Sequence, residues 1–279
     1  MNLHLQRAYW SLEKRLAPGL CSAQATYAGL LERYVDSDTR WLDVGCGHQL
    51  FEPWIKGEDA LVSRAKLVVG SDPDFASLRQ HRSIKKKIVA STLPLRSGSF
   101  SLITANMVLE HVADPAAFFA DVRRLLCPGG HMIVHTPNAR HWQVWASRML
   151  PTHLKQSLVR IADGRNEDDV FPTYYRANTP AALRRTASDS GLQVKTMLLC
   201  NTSTPSRLLL GPLVVADLLV VRLHSREEYA ELRSNMIAVF HSPEQNGSAE
   251  PSTCDARPLS LPTGYGQVGA SLDHAARTS

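Results

Sequence analysis

The stretch WLDVGCGHQLFE, residues 41–52, sets an acid, Asp43, inside a short apolar run and then two glycines, Gly45 and Gly47, around Cys46. A run of this kind reads as a buried strand, and Gly-x-Gly after it lets the backbone turn sharply and approach a ligand closely. The sequence on either side decides what kind of sheet that strand belongs to.

From Arg40 onward, short apolar runs alternate with amphipathic stretches: WLDV (41–44), KLVVGSD (66–72), KIVA (87–90), FSLITAN (100–106) and HMIVHT (131–136). Strands that are apolar throughout are those covered on both faces, as in a parallel sheet flanked by helices. The intervening helices carry start and stop signals. Asp114-Pro115 and Thr179-Pro180 each offer an N-cap followed by proline at the first helical position, and Gly191 closes the second helix. LQVKTMLLC (192–200) and SNMIAVFHS (234–242) read as two further strands. The expectation is an α/β fold: a doubly wound, Rossmann-like sheet of seven strands, mostly parallel with one antiparallel edge strand and helices on both faces.

Around that domain, placed at residues 40–243, the sequence suggests a helical extension (1–39), an aromatic-rich insertion (138–178) and a disordered tail (244–279) of Ser, Pro, Gly and Ala. Of 279 residues, 44% are hydrophobic and 20% charged, which suffices for a sizeable core, and the net charge of +5 is mild. The five cysteines are scattered without a CxxC, so neither a disulfide framework nor a zinc cage is suggested. MNLHLQRAYWSLEKRL lacks the apolar centre of an export signal, and a cytoplasmic location is expected. The apolar segment 208–223 reads as core helix, or else as a surface for peripheral membrane contact.

In open α/β sheets ligands sit beyond the carboxyl ends of the strands. A pyrophosphate loop would need a third glycine where Leu50 stands, and Asp43 would repel its phosphates; nicotinamide-linked chemistry ranks low for that reason. A carboxylate there suits an ammonium group. Asp72, in GSDPD (70–74), ends the second strand where an acid accepts ribose hydroxyls. Ammonium and ribose without pyrophosphate describe S-adenosylmethionine.

With those residues in place, the chain resembles the class I S-adenosylmethionine-dependent methyltransferases, in the branch of small-molecule enzymes of the ubiquinone and menaquinone biosynthesis type. The resemblance runs from about Arg40 to Gly191. It rests on LDVGCG (42–47), GSDPD (70–74), LPLRSGSFSLITANMVLEHVADP (93–115), LLCPGGHMIVHTPN (125–138) and NTPAALRRTASDSGLQV (178–194). It implies that Asp43, Gly45, Cys46 and Gly47 line the methionine half of the cofactor, and that Asp72 and Pro73 hold the ribose. Leu93 would pack near adenine, and Asn106 and Met107 would border the sulfonium. In one respect the chain departs from the family: no acid stands between Ile88 and Leu95 to meet the adenine amino group, so backbone, Ser91 or Thr92 would have to serve.

Methyl transfer needs alignment and, for a hydroxyl acceptor, a base. His111 and His135 are the candidates, each with the alternative of a packing role. No metal site is expected. The acceptor would be a small molecule, a glycan or a lipid precursor, most simply methylated on oxygen. Nucleic acid is disfavoured because ANMV stands where amino-directed DNA enzymes carry NPPY. No protein partner is legible, and a non-catalytic scaffold of the same fold is the competing reading.

Overall fold

The computed structural model describes residues 3–18, 20, 22–90, 94–149, 171–202 and 213–244. Leu93, residues 150–170 of the insertion, 208–212 and nearly all of the expected tail lie outside the described residues.

Seven strands form one sheet: β1 (Arg40–Val44), β2 (Leu67–Asp72), β3 (Lys86–Val89), β4 (Phe100–Asn106), β5 (Leu126–Pro137), β6 (Gln193–Cys200) and β7 (Asn235–His241). Their order is β3-β2-β1-β4-β5-β7-β6. β1 to β5 pair in parallel, and β7 runs antiparallel between β5 and β6, one place in from the edge. The chain reverses direction across the sheet between β3 and β4. The crevice beside β1 and β4 is therefore the switch point where such sheets take ligands.

The α-helices among the described residues are α1 (Leu3–Leu16), α2 (Ala23–Tyr34), α3 (Glu58–Arg64), α4 (Phe75–Gln80), α5 (Pro115–Leu125), α6 (Trp142–Met149), α7 (Pro180–Asp189) and α8 (Leu213–His224). Asp114 caps α5 by accepting from Ala117 N, and Thr179 caps α7 by accepting from Ala182 N, as the sequence suggested. Gly191 stands at a φ of 81° just beyond α7.

Strand alternation sorts the side chains into two cores. Leu42, Ile103, Met132 and Ala238 face α5 and α7, meeting Phe119, Val122 and Leu183. Trp41, Leu102, Ile133 and Ile237 face the other way, meeting Tyr27, Leu30 and Leu31 of α2 and Leu61 of α3. The helix α2 thus belongs to the sheet's own core. Ser22 starts it, its hydroxyl accepting from Ala25 N at 3.2 Å.

α8 buries Val214, Leu218 and Val221 and exposes Val215, Leu219 and Leu223. It is a core helix with an apolar outer stripe. No helix among the described residues is long and apolar enough to cross a membrane.

Candidate active site

Alternation along β1 puts Asp43 on the same face as Trp41, under α2. Its partner across the sheet is Thr104 of β4, whose hydroxyl donates to the Asp43 carboxylate and accepts from Trp41 Nε1 at 2.7 Å. After Val44 the chain folds over the end of β2, Gly45 N–H and Cys46 N–H both donating to Ser71 O at 2.7 and 3.2 Å. Gly45 has a φ of 68°, and a Cβ on it would lie 2.4 Å from Val108 Cγ2. Only glycine fits there. Cys46 packs its sulfur over Gly70, where a Cβ would meet Sγ at 2.6 Å; burial pushes its thiol up, and the nearby Asp43 and Asp72 push it further. That is the chemistry of a space-filling cysteine, and a nucleophile would need the opposite shift.

Asp72 ties two turns together. Its Oδ2 accepts from Gly47 N–H at 2.9 Å and its Oδ1 from Asp74 N–H at 2.8 Å, while Asp74 in turn caps α4. Pro73 is exposed in this turn. Carboxylate oxygens each carry further lone pairs, so these bonds leave Asp72 able to accept hydroxyls as well. Burial raises the Asp43 carboxyl to about 7 against the Thr104 hydrogen bond, with Glu58 and Asp72 adding repulsion. Three carboxylates therefore surround the glycine turn, and Asp43, the most deeply buried of them, has no ion-pair partner among the described residues.

Asn106 ends β4 on that same face. Its Oδ1 meets His135 Nδ1 at 2.8 Å, and its Nδ2 donates to Gln24 Oε1 at 3.2 Å and to Leu50 O at 3.3 Å. His135 is fully enclosed. Its Nε2 lies 3.2 Å from Asn235 Oδ1, its ring is 5.9 Å from that of Tyr27, and burial holds its pKa down to about 4. Met107 follows in the left-handed region, φ 57°, with its N–H on His135 O at 2.8 Å and its side chain exposed.

On the opposite face of the sheet, Glu110 is buried. Its Oε2 accepts from Thr136 Oγ1 at 3.0 Å, and Thr136 Oγ1 accepts from Asn178 Nδ2 at 2.6 Å. Burial raises the Glu110 carboxyl. Its backbone oxygen accepts from Tyr174 N and Tyr175 N, fastening the end of the insertion to the site. His111 beside it is one-third exposed, with Nδ1 at 3.0 Å from Pro172 O and its ring 6.1 Å from Phe171. Trp142 and Trp145 of α6 are exposed too.

A methyltransferase-domain family model matches residues 20–196, more than half of the chain. The chain belongs to that family. This methyltransferase-family chain is 33% identical over 108 residues to a ubiquinone biosynthesis O-methyltransferase of Parvibaculum lavamentivorans, covering 36% of this chain and 41% of that protein. It is 28% identical over 161 residues to the protein of the same name from Thiobacillus denitrificans, covering 55% and 64%. The matched stretch thus spans less than two thirds of these relatives. Among solved structures, the [4+2]-cyclase SpnF shares the fold at 16% identity and a TM-score of 0.50, covering 81% of this chain and 85% of that one.

S-adenosylmethionine is the cofactor of the methyltransferase family, and the residues present fit it. A buried carboxylate with no ion-pair partner among the described residues suits the ammonium, the Gly47 side is open where a Cβ would find nothing within 4 Å, and Asp72 stands at the tip of the adjoining strand. The sequence-derived set Asp43, Gly45, Cys46, Gly47, Asp72, Pro73, Asn106 and Met107 gathers at the carboxyl ends of β1, β2 and β4. The structure divides His111 from His135: one is partly open beside the insertion, the other sealed under α2. Gln24 and Tyr27 were not legible as site residues. Their only signal was a polar side chain at the start of the stripe 24, 27, 28, 31 on α2.

Proposed function

We propose that this chain catalyses transfer of the methyl group of S-adenosylmethionine to an oxygen of a small-molecule acceptor. The observation that carries the reading is Asp43: a carboxylate enclosed at the switch point, beside a glycine turn open on one side, with its pKa raised by burial and by the neighbouring Glu58 and Asp72. When bound, the cofactor supplies an already activated methyl. The chain's own residues then have to bind, orient and accept a proton. Asp43 takes the ammonium and Asp72 the ribose hydroxyls. The glycine turn lets the backbone lie against the ligand.

His111 is the residue we assign as base. With Nδ1–H donated to Pro172 O, its Nε2 carries the lone pair, on a ring partly open to solvent. His135, by contrast, has both ring nitrogens against asparagine amides and no open side. Phe171 is exposed against the His111 ring and the exposed Tyr174 is fastened to Glu110 O beside it, which supports an acceptor with an apolar body such as an aromatic or lipid precursor over a free sugar. The curated relatives named as O-methyltransferases support oxygen as the methylated atom.

Calorimetric titration with S-adenosylhomocysteine tests the first half, and absence of heat from folded protein overturns it. Label transfer from methyl-labelled cofactor into pools of phenols, lipid precursors and sugars tests the second. A non-catalytic protein of the same fold, serving as scaffold or binding protein, is the second reading, favoured by the lack of an acid between Ile88 and Leu95 to meet adenine.

A further inference from the structure

Four elements meet through one line of side chains on the α2 face of the sheet. Asn235 of β7 meets His135 of β5 at 3.2 Å, His135 meets Asn106 of β4 at 2.8 Å, and Asn106 exchanges two amide hydrogen bonds with Gln24 of α2, at 3.2 and 3.4 Å. Asn106 Nδ2 also reaches Leu50 O, in the segment that follows the glycine turn. We propose that Gln24 is a positioning residue of the cofactor site: acting through Asn106, it holds the end of β4 and the 45–50 turn in register around the amino-acid portion of S-adenosylmethionine. This rests on the reading of the site as a cofactor crevice and adds to it a wall, α2, that none of the sequence motifs contains.

The placement argues for the amino-acid end. Asp43, the carboxylate suited to an ammonium, lies on the α2 face, and its charge reaches Tyr27, one turn along α2 from Gln24. Asp72, suited to the ribose, lies across β1 on the side away from β4. The Gln24–Asn106 pair therefore sits at the ammonium side of the crevice. A neutral His135 has a single N–H and faces two amide oxygens, Asn106 Oδ1 at its Nδ1 and Asn235 Oδ1 at its Nε2, so it can donate to one of them. Asn106 Oδ1 lies between the His135 ring and Gln24 Nε2, and its amide nitrogen bridges Gln24 and Leu50. Gln24 itself is half-buried and serves no helix cap, so packing alone does not account for its side chain.

The test uses two ligands that differ in the amino-acid portion. S-adenosylhomocysteine has it, and 5′-methylthioadenosine lacks it. In Gln24→Met, which keeps length and removes the amide, the Kd for S-adenosylhomocysteine should rise about three- to tenfold, the equivalent of one net hydrogen bond. The Kd for 5′-methylthioadenosine should stay at its wild-type value, and the melting midpoint of the free protein should fall by only about 2–4 °C, the equivalent of one net hydrogen bond. His135→Gln, which keeps a donor for Asn106, should bind S-adenosylhomocysteine more tightly than His135→Leu. Equal weakening of both ligands, or no weakening of either, overturns the proposal. Should Gln24→Met fail to fold, Gln24→Asn, one methylene short of Asn106, puts the same comparison. Wild-type protein that binds neither ligand would instead overturn the cofactor reading itself.

Discussion

Thr104 donates its hydroxyl hydrogen to the carboxylate of Asp43 directly across the β1–β4 ladder, and even so the Asp43 carboxyl is raised to about 7. Enclosure outweighs a good hydrogen bond, since an ion taken out of water loses several kcal/mol of hydration. The signs follow. A carboxyl whose folded pKa exceeds its unfolded value of about 3.9 contributes stability that is whole below that value and is lost as pH rises towards 7. Free protein should therefore melt lower at pH 8 than at pH 5 through this group, and Asp43→Asn should remove that share of the slope. Cofactor affinity should run the other way: an ammonium pairs with the ionised form, so binding should strengthen from pH 6 to pH 8 by about tenfold per unit below the pKa. Calorimetry at three pH values, on wild type and Asp43→Asn, measures both.

Gly45 and Gly47 look equivalent in Gly-x-Gly, but their surroundings differ. Both have positive φ, a cost of about 1 kcal/mol for any other residue. At Gly45 a methyl would also strike Val108, whereas at Gly47 it would meet nothing within 4 Å. Gly45→Ala should thus destabilise by about 1–3 kcal/mol more than Gly47→Ala, the usual range for overpacking. Adding Val108→Ala should recover part of the loss in the first variant and none in the second. Urea denaturation midpoints of the single and double variants decide it.

Much of this was readable beforehand, for physical reasons that can be named. FSLITAN coincides with β4 because a strand buried on both faces is apolar throughout, and Asp114-Pro115 marks a helix start because capping is local chemistry. Asp43, Gly45 and Asp72 were legible because turn geometry and charge act within a few residues. The place of β7, inside β6, depends on pairing between distant strands, which local pattern does not encode. Gln24 escaped for a related reason. Its partner Asn106 is 82 residues away, and one amide on an amphipathic helix looks like ordinary surface. The two histidines could not be ranked from sequence because both stand near the carboxyl ends of strands; enclosure by α2 separates them.

Glu110 depends on Thr136. Its Oε2 accepts from the Thr136 hydroxyl, which itself accepts from Asn178, and burial already raises the carboxyl. Thr136→Val keeps the shape but removes the donor and leaves the Asn178 amide nitrogen with Pro137 O alone, at 3.3 Å. The expected cost is about 1–3 kcal/mol, the penalty for unpaired buried polar groups. It should grow as pH rises, because the ionised form of Glu110 is the one that most needs the hydroxyl. Thermal melts of the variant at pH 5 and pH 8 check both the size and the trend.

His111 and His135 should separate in kinetics. Removing a general base typically costs 10²–10⁴ in rate, so His111→Ala should lower kcat by about that factor once an acceptor is in hand. The affinity for S-adenosylhomocysteine should be unchanged, since His111 sits beside Phe171 and Pro172 at the insertion and not among the groups around Asp43. His135→Gln should lower kcat far less, because a ring enclosed between Asn106 and Asn235 and held near 4 is neutral across the working range and takes no part in proton transfer. A large loss of kcat in His135→Gln with kcat kept in His111→Ala would reverse the two roles and place the acceptor under α2.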